Sequence, residues 1–83
     1  MSYDKVAKVN IEKIIGTKQV IKAIKNGEAK EVIIASDADQ HITSKVSHVA
    51  KDYNVPIAYV DSMKKLGKTC GIDVGAATVA IKQ

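Results

Sequence analysis

Apolar positions along this chain alternate between the spacing typical of helices and that typical of strands. Segments with a helical apolar face are predicted to be helices, and they cover residues 2–10, 17–26, 41–53 and 63–70. Short apolar runs between them are predicted to be strands, at residues 11–15, 31–36, 57–60 and 77–81. Since the two kinds of element alternate with short links, the chain is predicted to form one α/β domain over residues 1–83, in which a central sheet carries helices on both faces.

Polar residues and glycines mark the ends of the predicted helices. Asp39 and Ser62 can each accept a hydrogen bond from the first turn of the helix that follows, and Thr17 is predicted to do the same after the preceding glycine. Glycine tolerates the left-handed backbone that closes many helices. Gly27 and Gly71 are therefore predicted to end the second and fourth helices.

The predicted helix after Gly16 carries a positively charged face. Lys18, Lys22 and Lys25 recur at i, i+4 and i+7, and Gln19 lies beside them. The free N–H groups and the positive dipole end of a helix start, together with long donor side chains, suit a phosphate-rich partner. The competing interpretation is a solvated lysine face on an ordinary surface helix, and this segment alone favours it.

Two further candidates follow in the last third of the chain. Lys64 lies with two more lysines on the face of the fourth helix opposite its apolar residues, and a solvated face is an equally good interpretation. Ile72 and Val74 then lie in an apparent loop that Gly71 and Gly75 flank. Such a loop can press an apolar surface on an extruded nucleotide while its N–H groups contact phosphates. On the residues alone, burial of Ile72 and Val74 in the core at the start of a strand is the favoured alternative.

Composition and charge narrow the class of partner. The net charge is +4, and the chain has lysines but no arginine. This charge permits nucleic-acid binding without showing it. There is no tryptophan or phenylalanine and there are 3 tyrosines, which argues against a surface that stacks aromatic rings on unpaired bases. A nucleic-acid partner would therefore be recognised as a folded shape.

The chain lacks the features of a secreted, membrane or metal-dependent protein. No apolar run is long enough for a bilayer, the N-terminus lacks the regions of a signal peptide, and the single cysteine, Cys70, excludes an internal disulfide, so the cytoplasm is expected. Cys70 lies on an apolar face and is predicted to be a core residue. His41 and His48 lack metal-ligand spacing, and no cofactor, metal site or catalytic group is predicted.

Asp37 and Asp39 leave one enzymatic alternative open. The pair follows a predicted strand, where carboxylates can serve as magnesium ligands, so a small magnesium-dependent hydrolase is a rival hypothesis. Asp39 is better explained as the N-cap of the third helix, and no further carboxylate clusters nearby in the sequence. A non-catalytic protein is therefore the preferred prediction.

Four segments are similar, in order and spacing, to those of a known family. They are Gly-Thr-Lys-Gln-Val-Ile-Lys at residues 16–22, Val-Ile-Ile-Ala-Ser-Asp-Ala-Asp at 32–39, Val-Pro at 55–56 and the run at 62–77. On these segments, which span nearly the whole length, the chain resembles the kink-turn-binding ribosomal proteins of the L7Ae and L30e superfamily, above all a small bacterial member. The resemblance implies a three-layer α-β-α sandwich with a mixed four-stranded sheet.

The resemblance also implies a function. The family binds kink-turn RNA, a helix–bulge–helix element that is bent sharply around tandem sheared G·A pairs. Carried over by position, the Gly16 backbone and Thr17 would face phosphate or sugar. The residues expected to meet guanine edges or nearby phosphates are Lys18, Gln19 and Lys22.

A loop near the C-terminus completes the RNA-binding surface that the resemblance implies. It would cover the flipped-out nucleotides of the bulge with Ile72, Asp73, Val74 and Gly75. Lys64 belongs to the same expected set. The expected partner is ribosomal RNA or a kink-turn-bearing leader such as a riboswitch, bound by a monomer.

Departures from the family pattern lie within this surface. Archaeal and eukaryotic relatives carry asparagine and glutamate where this chain has Lys18 and Gln19, and an amide in place of a carboxylate adds donors to an acceptor-only position. Gly75 stands in place of a common alanine.

An alternative function does not involve specific RNA recognition. The chain would then be a protein-interaction module of the ribosome or its assembly machinery, which would use the apolar loop at Ile72 and Val74.

Overall fold

The computed structural model describes residues 12–72 and 75–82 of the chain. These residues form four strands and three helices, joined by short loops. The strands are β1 (Lys13–Ile15), β2 (Ala29–Ala35), β3 (Ile57–Val60) and β4 (Thr78–Lys82). The helices are α1 (Thr17–Lys25), α2 (Gln40–Asp52) and α3 (Met63–Thr69). The helix predicted at residues 2–10 lies outside the described residues, as do Asp73 and Val74.

The four strands form one mixed sheet in the order β1-β4-β2-β3. Strand β4 runs antiparallel to its neighbours β1 and β2, whereas β2 and β3 are parallel. In this register, Val32 of β2 lies between Ala80 of β4 and Ile57 of β3. The mixed four-stranded sheet that the resemblance implies is confirmed, and the strand order is a result that no local sequence pattern specifies.

The sheet separates two apolar cores. Because side chains alternate across a strand, Val32 and Ile34 point to one face of the sheet while Ile33 and Ala35 point to the other. The first face packs against residues of α1 and α2, namely Val20, Ala23, Ile24, Val46 and Ala50. The second face packs against α3 through Leu66. Helices therefore cover both faces, and the three-layer α-β-α arrangement is confirmed.

Two of the predicted capping residues are confirmed and one is wrong. Asp39 precedes α2, and its Oδ1 accepts a hydrogen bond from His41 N at 2.8 Å. Ser62 precedes α3, and its Oγ accepts one from Lys65 N at 3.2 Å. Thr17 does not cap α1, because it is already the first residue inside the helix and the position before the helix is held by a glycine.

Glycines close α1 and α3 as predicted. Gly27 and Gly71 have φ angles of 72° and 83°, in the left-handed region that ends many helices. Strand β2 begins at Ala29, earlier than the predicted residue 31, because Ala29 is buried and pairs with Lys82 of β4. Cys70 packs against the core under α3, which confirms its prediction as a core residue.

Candidate nucleic-acid interface

One edge of the sheet brings most of the predicted site residues together. Since β1 and β2 are each antiparallel to β4 and β3 is parallel to β2, the carboxyl ends of β1, β2 and β3 lie beside the amino end of β4. We call the segments at these four ends, which are residues 16–19, 36–39, 61–64 and 75–77, the loop edge. The predicted site residues found there are Gly16, Thr17, Lys18, Gln19, Lys64 and Gly75.

A glycine turn directs α1 across the sheet from the loop edge. Gly16 has φ 106° and ψ 137°, a backbone conformation that residues with a side chain rarely adopt. Val20, Ala23 and Ile24 are at most 3% exposed and hold α1 against the sheet. Their burial fixes the rotation of the helix about its axis, so the opposite side of α1 faces solvent.

The solvent-facing side of α1 is cationic and open. Lys18, Gln19, Lys22 and Lys25 line a shallow depression on it together with Ile21. These four polar residues are exposed, and none of the three lysines forms an ion pair within residues 12–72 and 75–82. The first turn holds no acidic residue, and no described side chain caps it. The start of α1 therefore offers positive charge and free N–H donors to an anionic partner.

The start of α1 contacts the start of β4. Thr17 Oγ1 lies 3.4 Å from Thr78 Oγ1, within hydrogen-bond reach, and Gly16 N donates to Thr78 O over 3.4 Å. The Thr78 side chain is fully buried, so Thr17 supplies the partner that a buried hydroxyl requires. This long-range contact occupies the hydroxyl that the local pattern assigned to capping. It also makes the Gly16 turn and the loop before β4 parts of one surface.

The loop before β4 is held by the start of α3. Ala76 N donates a hydrogen bond to Met63 O at 3.0 Å. Gly75 is exposed, yet a Cβ added there would lie 3.3 Å from Met63 Cβ, a tight contact that favours glycine. Ile72 is half-buried and packs against the core under α3, as the core interpretation of this residue predicted. The rest of the Ile72 side chain stays accessible at the surface.

Lys64 adds a cation on the other side of the loop edge. It is exposed in the first turn of α3, which covers the sheet face opposite to α1. Among the described residues Lys64 has no ion-pair partner, whereas its neighbour Lys65 lies 4.0 Å from Asp61 Oδ2. An exposed pair of that kind contributes little to stability. Cations therefore flank the loop edge on both faces of the sheet.

Two carboxylates of the loop edge, those of Asp37 and Asp39, accept hydrogen bonds from helix starts. Asp39 caps α2, and Asp37 Oδ1 accepts a hydrogen bond from Met63 N in the first turn of α3 at 2.8 Å. Within the described part of the chain, no group of three or more His, Cys, Asp or Glu residues is placed to hold a metal ion.

Sequence reasoning missed two contacts of this surface. The role of Asp37 could not be found from the sequence, because its partner lies 26 positions away. The contact of the buried Thr78 with Thr17 has one hint in the sequence, which is a threonine at the start of an apolar strand.

Cys70 is the one thiol of the chain. Burial raises the pKa of the Cys70 thiol, and the positive charge of Lys13 opposes this rise. A raised pKa lowers the fraction of the reactive thiolate. This environment is that of a packed core thiol, in line with its contacts under α3.

Comparison with known proteins assigns the chain to one family. The model of the ribosomal protein L7Ae/L30e/S12e/Gadd45 family matches residues 1–83. The chain belongs to this family. The RNA-binding protein YbxF of Geobacillus stearothermophilus is 59% identical over 81 residues, which are 98% of each chain. The RNA-binding protein BH0128 of Halalkalibacterium halodurans is 55% identical over 83 residues and is matched over its full length. The family membership and the similarity to small bacterial members that the four segments predicted are confirmed.

Solved structures share the fold. A 15.5kD RNA binding protein of Giardia lamblia superposes with a TM-score of 0.84 at 27% identity, covering 98% of this chain and 68% of that chain. A protein with unknown function from Bacillus halodurans gives the same TM-score and identity, covering 98% of this chain and 80% of that chain. None of the helices in the described residues has the length and apolar character needed to cross a membrane.

Proposed function

We propose that this protein binds RNA and recognises the kink-turn. The observation that supports this most is the loop edge, where the open cationic start of α1 contacts the start of β4 and so adjoins the loop at Gly75. One bent RNA would reach both segments. Membership of a ribosomal-protein family, with relatives that are named RNA-binding proteins, supports RNA as the partner.

The start of α1 suits a groove that a kink opens. In regular A-form RNA the major groove is too narrow for side chains, whereas a sharp bend beside sheared G·A pairs widens it. The first-turn N–H groups and Thr17 would contact phosphate or sugar. Lys18, Gln19 and Lys22 would reach guanine O6 and N7 edges or adjacent phosphates. Phosphate contacts would supply affinity, and the base edges and bent shape would supply specificity.

The loop of residues 72–75 would cover the nucleotides of the bulge. Ile72 packs against the core with part of its side chain and keeps the rest accessible, so this residue still offers apolar surface. Gly75 is exposed at the other end of this segment. We assign Asp73 and Val74 to the same contact, with Lys64 approaching phosphates from the α3 side.

A protein that binds the kinked form of an RNA better than the extended form shifts the RNA towards the kinked form. We propose that this chain does so as a non-catalytic monomer in the cytoplasm. Its targets would be ribosomal RNA or kink-turn-bearing leaders such as riboswitches.

Binding to two matched RNAs tests this proposal. One RNA carries a kink-turn, and the other has the same sequence with its G·A pairs replaced by Watson–Crick pairs. We expect the kink-turn RNA to bind at least about tenfold more tightly at the same salt concentration. Equal affinities would contradict kink-turn recognition and leave only non-specific basic binding.

A salt series in the same assay addresses the protein-interaction alternative, which the apolar surface of Ile72 favours. Binding dominated by phosphate contacts weakens steeply as the salt concentration rises. Binding of the apolar loop to a protein partner would survive high salt, because burial of apolar surface is not screened.

A further inference from the structure

We propose that Asp37 is a positioning residue that acts through Met63 to hold Gly75 and Ala76 in their RNA-binding position without contacting RNA itself. The inference rests on the proposed function and extends it to a residue outside the expected RNA-binding set. It starts from a hydrogen bond between distant parts of the chain. Asp37 Oδ1, just after β2, accepts from Met63 N at 2.8 Å and so fixes the start of α3 to the end of β2.

Met63 passes this constraint on to the loop. While Met63 N donates to Asp37, Met63 O accepts a hydrogen bond from Ala76 N at 3.0 Å. Gly75 lies against the Met63 side chain, so closely that a Cβ added to Gly75 would be 3.3 Å from Met63 Cβ. The carboxylate of Asp37, the Met63 backbone and the end of the loop therefore form one connected series of contacts.

The negative charge of Asp37 makes its position informative. Asp37 is exposed on the loop edge, and no ion pair within residues 12–72 and 75–82 neutralises it. An anionic group at a surface that binds phosphates opposes binding through like-charge repulsion. If charge alone mattered, removal of Asp37 would strengthen RNA binding. If its hydrogen bond positions the loop, removal would weaken binding to the kinked RNA, so the two interpretations predict opposite signs.

Asp39 provides a matched control on the same edge. Its Oδ1 also accepts one hydrogen bond of 2.8 Å from a helix N–H, that of His41 in α2. Alanine at Asp39 therefore removes the same charge and the same kind of capping contact. It leaves the contacts of Met63 and Ala76 in place, since α2 makes none of them.

The experiment compares Asp37→Ala, Asp37→Asn and Asp39→Ala with the wild type on the kink-turn RNA and on its Watson–Crick control RNA. We expect Asp37→Ala to bind the kink-turn RNA about tenfold more weakly, while its binding to the control RNA stays equal or becomes tighter. Asp37→Asn keeps an acceptor oxygen without the charge and should bind the kink-turn RNA at least as tightly as the wild type. Asp39→Ala should show no loss.

Amide hydrogen exchange in the absence of RNA gives a second measurement. Loss of the Asp37 contact should speed the exchange of Ala76 N–H in Asp37→Ala and not in Asp39→Ala. Unchanged exchange at Ala76, or kink-turn affinity equal in the two alanine variants, would overturn the role of Asp37 while the wild type still discriminated the two RNAs. A wild type that bound both RNAs equally would instead overturn the proposed function, and this inference with it.

Discussion

Replacing Lys22 with alanine perturbs the proposed contact with little effect on the fold. Lys22 is exposed on α1 and has no ion-pair partner among the described residues, so the unfolding free energy should change by no more than about 0.5 kcal/mol. A direct contact with a guanine edge or a phosphate contributes about 1–3 kcal/mol to binding. Kink-turn affinity should therefore fall by about 5- to 150-fold.

Lys51 is the matched control for this substitution. It has the same charge and is also exposed, but it lies in the last turn of α2. Helix α2 starts at the loop edge and leads to the opposite edge of the sheet, where β3 begins. Lys51 is about 16 Å along the helix axis from Gln40. Since charges are screened over about 10 Å at moderate salt, Lys51→Ala should weaken binding by less than about threefold.

Fluorescence anisotropy with a labelled kink-turn RNA, measured at several salt concentrations, provides both the affinity and its salt dependence. If Lys22 contacts a phosphate, the slope of log affinity against log salt should fall by about 1 in Lys22→Ala. If it contacts a base edge, the affinity should fall with the slope unchanged. Equal losses for Lys22→Ala and Lys51→Ala would refute the placement of the RNA on α1.

Three further predictions concern the loop edge and the core beside it. Gly16→Ala places a side chain in a glycine conformation, so it should lower the free energy of unfolding in urea by about 1–3 kcal/mol and also weaken RNA binding. Gly27→Ala should lower the free energy of unfolding by about 1–2 kcal/mol but retain RNA binding. Thr17→Val leaves the buried Thr78 hydroxyl without its partner and should lower the free energy of unfolding by about 1–3 kcal/mol, whereas Thr17→Ser should retain most of the stability. A valine variant as stable as the wild type would show that the contact is unimportant. Because burial raises the pKa of Cys70, alkylation by iodoacetamide should accelerate at a higher pH in the folded protein than in urea, and coincident pH profiles would contradict that burial.

Local patterns predicted the elements that carry the interface. Val20, Ala23 and Ile24 share one helical face because burial against the sheet requires it, so their spacing also indicated which face of α1 is open. Asp39 and Ser62 were identified as caps because a cap bonds within a few residues of itself. Such interactions are encoded over a single turn of chain and can be predicted from the sequence.

Contacts between distant segments could not be predicted in this way. The Thr17 hydroxyl has two possible uses, and its proximity to Thr78 decides between them only once β1 and β4 are paired. The hydrogen bond from Met63 to Asp37 likewise depends on the parallel pairing of β2 with β3. Strand order determines both contacts, and one sequence does not specify strand order. The RNA-binding roles of the loop-edge residues stay predictions.

Backbone amide shifts measured by NMR during titration with a kink-turn RNA test the central claim most directly, because one experiment reports on both segments of the loop edge. We predict the largest changes at residues 16–22 and at residues 72–77, with small changes at Lys51 on the last turn of α2. Changes confined to one of the two segments, or centred on α2, would contradict a single surface that contacts one bent RNA.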